Sequence, residues 1–328
     1  MKPRVTILLA AYNAAATLPR CLDSLLGQSL GNIEVIAVDD CSTDSTLLLL
    51  QTYAKQDSRV KVLQTPTNSG QAVARNLALK EANGELVCMV DADDWLSPDC
   101  LQQASDVFCQ HPRTDTVILH LMQHYEETQI EEEYPLPKAL TRNGIISGRE
   151  AMELCIDGWQ LHGLYVARAE LFQQYPYDTT TRLYSDDTTT CFHYLHSREV
   201  RLCGGIYYYS KHQASSTNAF HFHRFDYLEA MLSQKLALKK ENISKQLMRR
   251  FEGRRWYIFI GCYRLFLQHQ NELTDKQQAS LKERFKTILH TFRPSQLKLR
   301  YRWKPFYWWT SNTTLFGLQQ KLYIKIRG

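Results

Sequence analysis

The stretch Leu86-Val87-Cys88-Met89-Val90-Asp91-Ala92-Asp93-Asp94-Trp95 decides the fold. An apolar run opened by Gly84 and closed by carboxylates reads as a buried strand that ends at a site. Three carboxylates within four residues repel one another at neutral pH, and a divalent cation is the usual remedy. Asp-x-Asp at a strand end suits Mg²⁺ or Mn²⁺ held against a diphosphate. Taken alone, the same residues also fit an acidic turn that caps the next helix.

Working outward, Val35-Ile36-Ala37-Val38 is a second apolar run, closed by Asp39-Asp40. Open parallel sheets bind ligands at the carboxyl ends of their strands, so two strands ending in Asp pairs point to one cleft. The spacing predicts strands at 5–12, 33–40, 60–64, 86–90 and 116–122. Helices follow at 18–26, 47–53 and 71–82, and another opens after Ser97-Pro98-Asp99. This alternation implies a mostly parallel sheet flanked by helices, an α/β class. Residues 126–147 carry Glu131-Glu132-Glu133, Pro135, Pro137 and Gly144, and read as an excursion or loop. From 224 to 293 the spacing is helical.

Six segments come in one order: Ala11-Tyr12-Asn13, Cys21 to Leu25, Val38 to Asp44, Asn68-Ser69-Gly70, Ala74-Arg75-Asn76 and Asp91 to Trp95. In order and spacing they resemble the family 2 inverting glycosyltransferases, enzymes of the nucleotide-sugar-binding GT-A fold. The resemblance covers about the first hundred residues. Beyond them it is carried by Ser185-Asp186-Asp187 and Tyr207 to Ser210.

The resemblance implies roles. Tyr12 and Asp40 would hold the nucleotide base, and Asp39 the ribose or its loop. Asp91 and Asp93 would be the metal ligands, with Asp93 in direct coordination and Mn²⁺ or Mg²⁺ as cofactor. His212 is a further metal or diphosphate candidate. Arg75 would reach phosphate or orient the aspartates, though an ordinary ion pair fits it equally. Of the Asp186-Asp187 pair, Asp187 would be the general base and Asp186 would assist, while helix-terminal acids of this kind are also common without any catalytic role. Trp95 and Trp159 could line a sugar cleft or simply fill the core. Two positions depart from the family's pattern. Ala10 replaces a common proline, and Cys41 replaces the usual glycine after the Asp pair.

Other classes fit poorly. Gly-x-Gly-x-x-Gly and Gly-x-x-x-x-Gly-Lys are both absent, against a dehydrogenase or P-loop enzyme. A nucleotidyltransferase would need a Gly-rich loop with Arg and Lys near its start. Nine cysteines without a C-x-x-C pair read as small core residues in a reducing cytosol. No signal peptide and no span of about 20 apolar residues is visible.

The net charge of +5 is uneven, because ten Lys or Arg and no acid follow Glu283. The part through Glu283 is therefore about −5 by subtraction. The basic tail also carries Tyr301, Trp303, Phe306, Tyr307, Trp308, Trp309, Phe316 and Tyr323. It suits an anionic surface, either the inner face of a membrane or single-stranded nucleic acid. The acidic remainder does not support nucleic acid. The expectation is a GT-A domain at 1–220 and a helical, basic C-terminal extension at 221–328. The expected partners are a nucleotide-sugar donor, a glycan or lipid-linked saccharide acceptor, and a membrane surface met from the cytoplasm.

Overall fold

The computed structural model describes residues 2–156, 158–211, 220–297 and 312–327. The chain divides into two compact units, 1–155 with 159–219, and 156–158 with 220–328.

The first unit follows the order β1 Val5–Ala11, α1 Leu18–Leu26, β2 Ile33–Asp39, α2 Thr46–Gln56, β3 Val60–Gln64, α3 Gln71–Lys80 and β4 Leu86–Asp91. It continues with β5 Trp95–Leu96, α4 Cys100–Gln110, β6 Thr114–Tyr125, β7 Ile130–Glu133, α5 Lys138–Asn143, β8 Ile145–Ser147 and α6 Gly148–Ile156. It ends with β9 Tyr165–Arg168, α7 Ala169–Gln174, α8 Ser185–Leu195 and β10 Glu199–Lys211. One sheet runs β3-β2-β1-β4-β9-β6-β10-β5, with β7 on β6 and β8 on β10.

The strands from β3 to β4 are parallel, as the apolar runs predict. The sheet's long pairings are parallel, including β6 with β10, and its short ones are antiparallel. The four-residue β9 is inserted antiparallel between β4 and β6. The segment 126–147 is not a plain loop. Its Ile130–Glu133 pairs antiparallel with Met122–Tyr125.

Register positions the site. On either side of β1, Ala11 lies opposite Asp39 and Ala10 opposite Asp91. Two strands therefore deliver their carboxylates to the same sheet edge, one strand apart. Below that edge the core is dry. Val5, Ile7, Leu9, Val35, Ala37 and Val90 are at most 1% exposed. Leu18, Cys21, Leu22 and Leu25 recur at helical spacing and bury the inner face of α1 completely. Each leucine contributes about 2 kcal/mol by leaving water. Gly84 is required where β4 begins. A Cβ there would lie 2.6 Å from the Thr6 nitrogen, and the Gly84 N–H donates to Thr6 Oγ1 at 2.8 Å. All nine cysteines are free, and seven are buried.

Two histidines of this unit are sealed and neutral. His193 on α8 donates through Nε2 to the Tyr175 carbonyl at 2.8 Å, and its Nδ1 accepts from the Tyr165 hydroxyl at 2.7 Å. Burial pushes His193 down to about 4 and His162 down to about 3. In the unfolded chain both titrate near 6.5. The unfolded state thus gains protons first as pH falls. Stability is full above about 6.5 and is lost below it, at roughly 1.4 kcal/mol per pH unit for each histidine. The urea midpoint should fall steadily from pH 7 to pH 5, and a flat midpoint would refute this account.

The second unit is helical, with α9 Tyr227–Leu238, α10 Lys245–Gln268, α11 Asp275–His290 and a last helix, Thr313–Arg327. Phe225, Trp256, Phe259, Phe285, Phe292 and Phe316 form its aromatic core. Glu252 is fully buried there between Lys235 at 2.6 Å and Arg255 at 2.7 Å. No described helix is long and apolar enough to cross a membrane.

Candidate active site

The Tyr-Asn and Asp-Asp-x-Ser-x-Asp motifs build one loop frame at the end of β1 and β2. Asn13 has φ 49° and Cys41 has φ 61°, both left-handed. Asn13 N–H donates to Ser42 Oγ at 3.0 Å, and Asn13 Oδ1 accepts from Thr43 N–H at 2.8 Å. Asp39 Oδ2 accepts from Ser42 N–H at 3.2 Å and from Gln64 Nε2 at 3.2 Å, while its Oδ1 is buried without a partner. Asp44 holds Ala15 N–H and Thr46 N–H. The frame leaves Tyr12 48% exposed, with a ring free to stack.

The left-handed Cys41 explains why glycine suits that position. A side chain in this conformation costs about 1–2 kcal/mol, and part of that is offset by glycine's greater freedom in the unfolded chain. Cys41→Gly should therefore raise stability by about 0.5–1 kcal/mol in urea denaturation. A loss of stability would mean that the Cys41 thiol packs favourably enough to outweigh its backbone.

Asp40, expected at the nucleotide base, also holds a loop. Its Oδ1 accepts from Ser69 N–H at 2.8 Å and Thr65 Oγ1 at 2.6 Å, and its Oδ2 from Gly70 N–H at 2.7 Å. At 3% exposure it clamps the Asn68-Ser69-Gly70 loop ahead of α3. Gly70 has φ 92°, as that loop requires.

From α3, Arg75 points at the end of β4. Its Nη2 meets Asp91 Oδ1 at 2.5 Å and Gln71 Oε1 at 3.0 Å, and it is 1% exposed. The structure holds it in an ion pair with Asp91, which fits both the orienting role and an ordinary ion pair. Asn76 faces the other way. Its Nδ2 donates to the Tyr177 carbonyl at 2.8 Å, and its Oδ1 accepts from Tyr177 N–H at 2.9 Å. That clamp fixes the segment leading to α8, whose first turn carries Asp186 and Asp187. Arg182 Nη2 also bonds Asn68 Oδ1.

Asp186 is half-buried and electrically tied to this group. Burial raises its carboxyl above the ordinary range, Arg75 pulls against that, and Asp91 adds to it. Asp187 is deeper, at 7% exposure. Asp94, unassigned from the sequence, is fully buried. It accepts from Tyr207 Oη at 2.6 Å and from Ser210 N–H at 2.8 Å, and Asp91 N–H donates to Tyr207 Oη at 3.1 Å. Arg20 is a second unforeseen member. Its Nη2 donates to the Asp93 carbonyl at 3.1 Å and to Glu126 Oε1 at 2.6 Å. It lies over Trp95 at 3.9 Å, and Tyr208 stacks on that indole at 5.1 Å. Both neighbours occupy Trp95, which makes it a support for the Asp93 turn rather than a sugar platform. His212 lies outside the described residues.

The donor set suits a divalent cation. Burial first, and then the charges of Asp91 and Asp93, push Asp94 well above the carboxylate range. Mg²⁺-type ions use one or two carboxylates plus substrate phosphates, so Asp91 and Asp93 suffice in type. Among the described residues, no three His, Cys, Asp or Glu side chains converge into a complete metal cage.

The sequence model described as Glycosyl transferase family 2 matches residues 6–161. The match carries the family over residues 6–161, just under half of the chain. EpsH of Bacillus subtilis (strain 168) is 36% identical over 126 residues, 38% of this chain and 36% of EpsH. The poly(ribitol-phosphate) beta-N-acetylglucosaminyltransferase TarS of Staphylococcus aureus (strain Mu50 / ATCC 700699) is 35% identical over 121 residues, 36% of this chain and 21% of TarS. The chain thus spans well under two thirds of these curated relatives. The structure of S. aureus TarS 1–349 in complex with UDP-GlcNAc superposes with TM-score 0.72 at 19% identity, covering 98% of this chain and 92% of that one. The mannosyltransferase PcManGT of Pyrobaculum calidifontis, in complex with GDP-Man and Mn²⁺, gives TM-score 0.53 at 17% identity, covering 99% and 86%. At those identities the likeness shows the fold alone, a GT-A architecture.

Proposed function

We propose that this protein is a family 2 inverting glycosyltransferase that moves a sugar from a nucleotide-sugar donor, a UDP-sugar, to a hydroxyl of a glycan or lipid-linked acceptor. The observation that carries this reading is the meeting of Asp39 and Asp91 at one sheet edge, with Arg75 joining Asp91 and influencing Asp186. The family match and the UDP-GlcNAc bound to TarS support the donor class.

Tyr12 stacks on the base. Asp40 fixes the loop beside it, and Asp39 serves the ribose side through the loop it holds at Ser42. Asp93 and Asp91 would hold Mn²⁺ or Mg²⁺, and Arg75 sets the Asp91 carboxylate in place. When bound, the cation supplies Lewis-acid stabilisation of the departing diphosphate. The acceptor oxygen attacks the anomeric carbon from the face opposite the nucleotide. A new C–O bond forms as the C–O bond to the phosphate breaks. The acceptor proton passes to Asp187, and the bonding pair leaves on the nucleoside diphosphate. Asp186, answering Arg75, positions that first turn of α8. An acceptor anchored at a membrane would bring the enzyme to an anionic surface, on the cytoplasmic side where nucleotide sugars are made.

Nucleotide release measured over a panel of UDP-, GDP- and dTDP-sugars tests the reading. Acceptor-dependent release from a UDP-sugar with an inverted anomeric centre is expected. Turnover with retention, or none with any sugar nucleotide, would overturn it.

A further inference from the structure

We propose that the outward face of the Thr313–Arg327 helix docks on an anionic lipid bilayer surface. The helix has two apolar faces, and they do different things. Phe316 and Gln320 are buried at 1% and 0%, Arg264 Nε donates to Gln320 Oε1 at 3.0 Å, and Arg264 lies over Tyr323 at 3.5 Å. These residues recur at i, i+4 and i+7 and hold the helix to α10. On the other face, Leu315, Leu318, Leu322 and Ile326 are 41%, 59%, 51% and 62% exposed. At 100° per residue they fall within one stripe less than a quarter-turn wide. Four large aliphatic side chains in a row on a folded surface call for a covering partner.

Charge selects which partner. Lys321 and Lys325 are exposed beside the stripe, and the helix contains no acid. No Asp or Glu occurs anywhere after Glu283. A second copy of the chain meeting this face would set lysine against lysine. A nucleic acid would be met by aliphatic chains that cannot stack on bases. An interfacial helix, by contrast, sinks an apolar stripe to the acyl boundary and keeps flanking lysines among anionic headgroups. The inference rests on this helix alone and is independent of the reading of the active site.

The test is flotation of the full chain on phosphatidylcholine vesicles, with and without an equal part of phosphatidylglycerol. Binding should require the anionic lipid and weaken with salt. Lys321→Gln with Lys325→Gln should weaken it by roughly fivefold per lysine. Leu318→Gln with Leu322→Gln should reduce it by about tenfold or more. These side chains are exposed, so circular dichroism and melting should be unchanged. If the leucine pair nonetheless unfolds the chain, the lysine pair and the salt dependence decide alone. Equal flotation on both vesicle types would overturn the proposal. So would variants that float like the wild type, a leucine variant that converts a dimer to a monomer by light scattering, or retention on RNA without retention on vesicles.

Discussion

Asp187→Asn is expected to lower transfer by roughly 10²- to 10⁴-fold while nucleotide-sugar affinity stays near wild type. A sugar hydroxyl is a poor nucleophile at neutral pH, so taking its proton during attack is worth several kcal/mol of barrier. Asparagine keeps the shape of the aspartate and cannot accept the proton. Asp186→Asn should be milder in kcat. Its larger effect should fall on the pH profile, because the Asp186 carboxyl is raised by burial and balanced by Arg75. Turnover of each variant and donor affinity by calorimetry check this. If Asp186→Asn collapses while Asp187→Asn turns over normally, the proton acceptor is the neighbour. If both variants retain turnover, the pair is only an acidic helix start.

Excess EDTA is expected to abolish transfer, and Mn²⁺ or Mg²⁺ to restore it. Asp91 and Asp93 are the candidate ligands, and the buried Arg75 offsets the charge of Asp91. A pair of carboxylates holds a diphosphate poorly unless a cation comes between. Loss of that stabilisation costs several kcal/mol at the transition state, on the order of 10³-fold or more in rate. Asp93→Ala should reproduce the loss, and added metal should not rescue it. Full turnover in excess EDTA would remove the metal from the account.

Much of the first hundred residues was legible because β1, β2 and β4 are apolar runs, and carboxylates mark the ends of β2 and β4. Other elements carry no such mark. The strand Ile130–Glu133 is fully exposed and acidic, and it is a strand because Met122–Tyr125 lies alongside it. Tyr165–Arg168 is too short for its period to show. The residues of the candidate site divide similarly. Tyr12, Asp39, Asp91 and Asp186 announce themselves by type and position. Arg20, Asn76 and Asp94 do not, because their partners lie about 70 to 116 positions away in the chain. Asn76 stood inside a motif already noticed. What was missing was that an amide whose oxygen and nitrogen both face the backbone of one residue acts as a clamp.

The adjacency of Arg75 and Asn76 has a kinetic consequence. One short helix grips the donor-side aspartate with one residue and the approach to α8 with the next, and Asp40 pins its leading loop. A nucleotide settling against that loop would move both grips together, so arrival of the first substrate would prepare the seat of the second. Turnover should then be ordered, donor before acceptor. The released nucleoside diphosphate should compete with the donor and inhibit noncompetitively against the acceptor, whereas random addition would show that the two grips work independently.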